Sequence, residues 1–556
     1  MFELSNDNQR IIDKQVNDMK NKQQYDRLKK IICIVSIILF MVTILLIIFI
    51  TNSDSNNKKT NNNNNDYQNL KDFNIKAKYY SDNKKIKLYG NLPTTDKVTI
   101  WTNGEYLKPS TKMLYCSEEC EVYFQIDVSN CTSLKGMFED SDIASISFSP
   151  SFNTKNIKDM TNLFRFCFSL KSADLSYFNT SNVENMNSMF YDCYHLSSLN
   201  LGNFNTEKVN DMSYMFYECK NLSFVDLSSF NTKNVMNMEY MFYNSNLKSL
   251  NLSNFNTKNV KNMRYMFYNN ILKSIDLSHF DTSNVEDMSY MFYDSYHLSS
   301  LNLNNFNAEK VIKMSYMFGR CRDLQYLNMS DFKAKNVVNM EYMFYSTTSL
   351  KSIDLSHFDV SNVENMTHMF YDSSLSSLNL NDFNAEKVID MSYMFYNCKN
   401  LQHFNTSNIK AKKVVNMNYM FYETSLTSID LSNFDTKNTK YMDSVFEYSK
   451  YLVSVNLSSF NTKNTKSMYR MFYSCTNLTS IDLSNFNTEN VVDMRYMFDY
   501  CKNLKNVDIS SFTINDIKKN YDLFGNLPSN GTITLKSEYK DKIKDIPSSW
   551  TIITVD

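Results

Sequence analysis

One phrase of 25 or 26 residues, repeated from residue 134 to residue 524, constrains this 556-residue chain more than any other feature. It reads L-x-S-L-D/N-L-S-x-F-N-T-x-N-V-x-x-M-x-Y-M-F-Y-x-C/S. Its clearest mark is a Phe that follows an apolar residue, usually Met. That Phe recurs from Phe138, Phe164 and Phe190 to Phe472, Phe498 and Phe524. A fixed step of this length specifies a solenoid, in which each coil buries its apolar face only against its neighbours. Solenoids grow by adding coils, so chain length no longer counts domains. They present much surface, so binding is the first expectation and catalysis a distant second.

Composition agrees. The chain holds 7 glycines and 5 prolines, and no proline falls between residues 151 and 527. That excludes collagen-like and Pro/Gly-rich disordered structure for the repeats and suits a hydrogen-bonded ladder. The net charge of −1 gives no bulk field for nucleic acid.

Within the coil 196–221, Leu199 and Leu201 alternate with Asn200, which predicts a short strand. Val209, Met212, Met215 and Phe216 then recur every three to four residues, which predicts the inward stripe of a short helix. Ser181 with Glu184, Ser283 with Glu286 and Ser361 with Glu364 have the spacing of capping boxes at its start. The expected fold is an α/β solenoid: a leucine-rich-repeat arc of about fifteen coils, each a short parallel strand plus a short helix. The column Met160, Met186, Met212, Met238 and Met263, continuing to Met494, reads as core packing.

The unit NVxxMxYMFYxCxxLxSLDLSxFNT resembles the repeat of the BspA-like leucine-rich-repeat family of bacterial surface proteins. The match spans about 390 of the 556 residues. The end of the chain, Ile546-Pro547-Ser548-Ser549-Trp550 followed by a strand at 551–555, resembles the terminal cap of such proteins. The resemblance implies a surface protein used in adhesion and supplies no ligand. A longer period overlies the short one: the segment 274–281 (SIDLSHFD) returns 78 residues later at 352–359. Three coils copied together fit an adhesin or a spacer.

Outside the repeats the chain divides by composition. Residues 31–50 (IICIVSIILFMVTILLIIFI) hold twenty residues without a charge and predict a single transmembrane helix of about 30 Å. Six Lys/Arg within 11–30 against two within 51–70 predict a cytoplasmic segment at 1–30 and repeats at the cell surface. A cleaved signal peptide would have a shorter apolar run and a small-x-small site. Residues 51–69, with nine Asn, read as a flexible tether. Residues 70–133 read as a β-rich N-terminal cap and 525–556 as a C-terminal one, since both ends of a solenoid need covering.

Candidate sites follow the columns. The outward strand position is always Asp or Asn: Asp174, Asn200, Asp226, Asn251, Asp276, Asn302, Asn328, Asp354, Asn379, Asn405, Asp430, Asn456, Asp482, Asp508. This row is either a solvated ladder or a weak repetitive site for a glycan or protein, and Phe224, Tyr326 and His403 break its regularity. Two tyrosine columns lie on the predicted helical face, one through Tyr214, Tyr240 and Tyr265 and one through Tyr217, Tyr243 and Tyr268. They serve either as interface residues or as stacking that stabilises the coils. Cysteine recurs three residues after the repeating Phe, at 167, 193, 219, 321, 398, 475 and 501, as a small buried side chain. Cys116 and Cys120, with Cys131 nearby, are candidates for a disulfide.

The six histidines stand at unrelated repeat positions, and no HExxH, P-loop or G-x-S-x-G motif occurs. No enzyme, metal or cofactor is expected. The expected function is that of a membrane-anchored surface protein that adheres to an extracellular protein or glycan. The alternative is a self-associating structural stalk.

Overall fold

The computed structural model describes residues 73–556, apart from 82–83, 94–97, 331, 333, 381–382, 407–408 and 515–521. The repeats form a β-solenoid of about 14 turns. Most coils place one buried residue between two outward ones, and Ala173, Leu250, Ile275 and Val455 are partly buried at that position. In Ser198–Asn200, Leu199 is buried and its neighbours are exposed. This segment pairs parallel and in register with Phe224–Asp226 of the next coil. The same pairing joins Ser300–Asn302 to Tyr326–Asn328, Ser352–Asp354 to Ser377–Asn379, and Ser428–Asp430 to Ser454–Asn456. The coils at 249–251, 274–276 and 403–405 follow the same course without a strand. A second ladder of single parallel bridges continues where the strands fail. It runs Ser133, Asp159, Asn185, Asp211, Asn237 and onward, one residue per coil, to Asp493.

The predicted helix is absent, and among the described residues the one helical element is the short 3-10 turn Ser537–Tyr539. A helix would bond every N–H to the carbonyl four residues back. Here alternate N–H groups leave the coil. Met212, Tyr214, Phe216 and Glu218 donate to Asn237, Glu239, Met241 and Tyr243 of the next coil at 2.9–3.1 Å. The residues between them turn back three positions: Met215 to Met212, Tyr217 to Tyr214 and Cys219 to Phe216. Tyr214 (φ 59) and Glu218 (φ 58) are left-handed, a conformation no right-handed helix contains. The same pair of left-handed positions recurs four residues apart in coil after coil. Two reversals at this spacing bury Met212, Met215, Phe216 and Cys219, which is the stripe a helix would also produce. The expected capping boxes are taken apart as well: Glu184 pairs with Lys158 of the preceding coil at 3.0 Å, and Ser181 bonds Asn179.

The core is a set of columns. The repeating Phe rings stack from Phe138 to Phe524 with centroids 5.3–5.9 Å apart. The Met column is buried beside them. In many coils the small polar side chain three residues after the Phe donates to the Phe carbonyl of the preceding coil, while Ser245, Thr347 and Thr424 turn to the Phe of their own coil. Cys167 donates to Phe138, Cys219 to Phe190, Asn270 to Phe242 and Ser295 to Phe267. A threonine column joins coils at another corner: Thr206 Oγ1 accepts from the Asn231 N–H at 2.8 Å and donates to the Asn231 carbonyl at 3.0 Å.

The first coil is covered by a sheet made of β1 (Ile75–Tyr80), β3 (Val98–Thr102), β4 (Glu105–Leu107), β6 (Glu119–Ile126), β7 (Ile143–Phe148) and β8 (Ser172–Asp174), with β2 (Lys84–Lys87) and β5 (Met113–Cys116) paired beside it. The order is β4-β3-β6-β1-β7-β8. β7 is antiparallel to β1 and parallel to β8, so it converts the antiparallel cap into the parallel solenoid. Cys116 and Cys120 are joined by a disulfide that ties β5 to β6. At the other end Thr532–Lys536 and Thr551–Val555 extend the ladder in parallel. Trp550 is buried there and its indole N–H donates to the Pro528 carbonyl. Any Cβ at Gly531 would come within 2.6 Å of that ring.

Among the described residues no helix is long and apolar enough to cross a membrane. The expectation of a single-pass protein holding its repeats at the cell surface is therefore withdrawn. The segment 31–50 on which it rested, with 1–30 and 51–69, lies outside the described residues.

Candidate functional site

On the strand face the Asp/Asn row has a use inside the coil. Where both residues are described, the side-chain oxygen accepts the N–H two residues on and so fixes the corner that follows the strand. The pairs are Asp174–Ser176, Asn200–Gly202, Asp226–Ser228, Asn251–Ser253 and Asp276–Ser278, at 2.9–3.0 Å. Asp354, Asp430, Asp482 and Asp508 do the same with Ser356, Ser432, Ser484 and Ser510. The backbone N–H and hydroxyl of Ser228 hold the Asp226 carboxyl below the usual range, and Ser278 does the same for Asp276. Sequence reasoning placed these residues outward and missed the turn they close. The signal was the Ser that regularly stands two positions later.

The three residues that break the row stay exposed. Phe224 is 54% and Tyr326 57% exposed on their strands. His403 lies where the strand is lost, and its imidazole meets Thr427 Oγ1 at 3.3 Å. It shares a shallow concavity with Asn405, Ser428 and Asp430.

A separate face carries the tyrosines, on consecutive turns instead of a helix. Tyr214, Tyr240, Tyr265, Tyr290, Tyr316, Tyr342, His368, Tyr393 and Tyr419 form one unbroken stack with centroids 4.2–4.7 Å apart. Each is left-handed. A second stack runs Tyr191, Tyr217, Tyr243, Tyr268 and Tyr293. It stops where Gly319 replaces the next ring and resumes as Tyr371, Tyr396 and Tyr422. The columns interlock, with Tyr217 5.8 Å from both Tyr214 and Tyr240. All six singled-out rings (Tyr214, Tyr217, Tyr240, Tyr243, Tyr265, Tyr268) are half-buried. Burial pushes the Tyr290 and Tyr371 hydroxyls up to about 12, so these remain neutral donors.

A family described as "Mycoplasma protein of unknown function, DUF285" matches residues 132–248, 217–327, 295–408, 323–431 and 415–534. The chain belongs to the DUF285 family. No curated protein matches it. Similar solved structures include a leucine-rich repeat protein from Eubacterium ventriosum, at 15% identity and a TM-score of 0.28, covering 60% of this chain and 82% of that one. The functional domain of InlJ from Listeria monocytogenes overlaps at 14% identity and a TM-score of 0.18, covering 66% and 71%. An internalin from the same organism overlaps at 14% identity and a TM-score of 0.15, covering 69% and 88%. Overlaps this loose carry no conclusion about this chain.

What the DUF285 surface can do chemically is limited by how its reactive groups are held. The column thiols are buried, and desolvation pushes those of Cys167, Cys398 and Cys501 up to about 12, which suppresses the nucleophilic thiolate. Among the described residues no group of three His, Cys, Asp or Glu is placed to hold a metal. His368 is stacked between Tyr342 and Tyr393, and burial pushes its imidazole down to about 4.

Proposed function

We propose that this DUF285 solenoid is a binding scaffold, not an enzyme, and that it engages a protein or glycan through its tyrosine face. The observation that carries the reading is the pair of interlocked tyrosine stacks. They give a continuous amphipathic surface whose rings are already fixed. Tyrosine supplies large contact area with one polar tip, and pre-stacked rings lose little rotamer freedom when a partner binds. The strand face is the poorer candidate because its Asp and Asn oxygens are engaged in their own turns. The likeness of the repeat to BspA-like units supports adhesion as the form this binding takes.

The test is binding of the full chain to an immobilised panel of matrix proteins and glycans, beside two variants. One carries Tyr243→Ala and Tyr268→Ala. The other carries Asp226→Asn, Asp276→Asn and Asp354→Asn, which removes charge but keeps the acceptor. Melting curves establish that both remain folded. The expected result is a specific hit weakened about tenfold or more by the tyrosine changes and little altered by the amides. A hit lost only with the amides would move binding to the strand face and defeat the proposal.

A second reading, self-association, is favoured by one observation. Among the described residues Thr551–Val555 ends its sheet and pairs with Thr532–Lys536 alone, and it leaves four of its five residues exposed. Concentration-dependent sedimentation abolished by Ile553→Lys would support it, whereas a monomer at high concentration would remove it.

A further inference from the structure

The junction of the N-terminal cap with the first coils departs from the repeat in a way the tyrosine face does not explain. Phe166 occupies the second left-handed position of its coil, at φ 60. The next coils place Asp192, Glu218, Asn244 and Asn269 there. Tyr448 and Tyr500 take the same position in later coils, and here two contacts fix the ring. The Arg165 guanidinium lies 4.3 Å above the Phe166 ring and donates to Glu139 at 3.1 Å. Tyr191 meets the ring edge-on at 5.3 Å.

Phe168, two residues on, is 46% exposed and its ring stacks on Phe166 at 5.8 Å and 27°. Its carbonyl is held by His195 Nδ1 at 2.6 Å. The two rings wall a concavity of about 510 Å³ between cap and coil. Its far side is backbone: Gly90 lies so close to Gly136 that any Cβ would strike the Gly136 carbonyl at 2.3 Å.

The rim is polar and balanced. Lys87 pairs with Asp140 at 2.8 Å, Lys112 donates to the Gly90 carbonyl at 2.8 Å, and Asn91 and Glu139 complete it. An anion would meet Asp140 and Glu139, and a cation would meet the two lysines. A wholly apolar ligand would strip water from all four charges without replacing it. The remaining class is neutral, flat and apolar on one face, with hydroxyls around its edge that both donate and accept. We infer that this junction is a binding pocket for a neutral sugar ring stacked on Phe168, with its hydroxyls bonded to the Lys112, Asn91 and Asp140 side of the rim. This rests on the binding-scaffold reading and gives it a ligand class at a second place on the molecule.

The experiment is saturation-transfer NMR of the full chain with chitotriose, cellotriose, maltotriose and lactose. 3′-Sialyllactose and a chitosan trimer serve as the anionic and cationic counterparts. The expected result is transfer to at least one neutral sugar, weakened about tenfold by Phe168→Ala and largely kept by Phe168→Tyr and by the Tyr243→Ala, Tyr268→Ala pair. Phe168 is exposed, so its replacement leaves the fold intact. Three results would overturn the pocket: no transfer to any neutral sugar, transfer only to a charged one, or transfer unchanged by Phe168→Ala. Neutral-sugar transfer lost only in the tyrosine pair would overturn the pocket while sustaining the tyrosine face.

Discussion

At Tyr265 and its equivalents, side chain and backbone pull in opposite directions. A left-handed residue with a Cβ costs about 1–2 kcal/mol. Each stacked neighbour returns about 0.5–1.5 kcal/mol, and an inner ring has two. Tyr265→Ala should therefore lower stability by about 1–3 kcal/mol in urea unfolding, while Tyr265→Gly, free of the backbone penalty, should cost about 1 kcal/mol less. Equal losses would mean the turn is not left-handed. His368 tests the same column through pH. Its unfolded imidazole titrates near 6.5 and its folded one at about 4 because of burial, partly offset by Asp390. Between those values the unfolded chain binds more protons, so stability should fall as pH drops through that window. After allowance for partial exposure the loss is about 1–2 kcal/mol. His368→Tyr should flatten that part of the melting-temperature profile, and an unchanged slope would assign it to other groups. In the small polar column, Cys475→Ser should be nearly neutral, since Ser449 already donates to Phe421 from this register. Cys475→Ala should cost about 0.5–1.5 kcal/mol by removing one of the two hydrogen bonds to the Phe446 carbonyl, which keeps the Ser449 N–H. Similar losses for both would contradict a hydrogen-bonding role.

The coil shows which parts of an element its sequence reveals. The step, the inward Met and Phe, and the alternation around Leu199 were legible because burial leaves a periodic trace. The local backbone was not. Apolar residues separated by three, one and three positions suit a helical turn and a pair of reversals equally well. The usual mark of a reversal, glycine, is rare: apart from Gly136 the left-handed positions of the coils carry Tyr, Asp, Glu, Asn, Ser, Arg, His and Phe. Asn and Asp abundance, easily dismissed as composition, has a structural cause in the turns they close. Threonine belongs to the same account. Thr206→Val should cost about 1–3 kcal/mol, because both the N–H and the carbonyl of Asn231 would lose their partner in a buried corner. Thr206→Ser, which retains both bonds, should cost well under half of that. Equal costs in thermal unfolding would assign the column to packing.

For the molecule as a whole, contacts run from coil to neighbouring coil, so stability should be close to a sum over coils. Deleting residues 196–221, one full period, should leave a folded chain with a slightly lower melting temperature. Deleting half of that span breaks every column at once and should unfold the region. The solenoid was legible from repetition alone. Its strand-face row and its tyrosine columns were visible as positions, but what each position does depends on the path between them. The Phe166–Phe168 pocket left only a faint trace, because Tyr448 and Tyr500 share the first register and Tyr194 and Tyr296 the second, so neither aromatic stands out in the sequence. Every surface assigned here depends on the coil being turns and strands. Diffraction from crystals of Leu70–Asp556 tests that most directly. The account predicts positive φ at Tyr214, Tyr240, Tyr265 and Tyr290, with their rings stacked as a column. A continuous helix through 209–218 and its equivalents, with the tyrosines fanned around it, would contradict it.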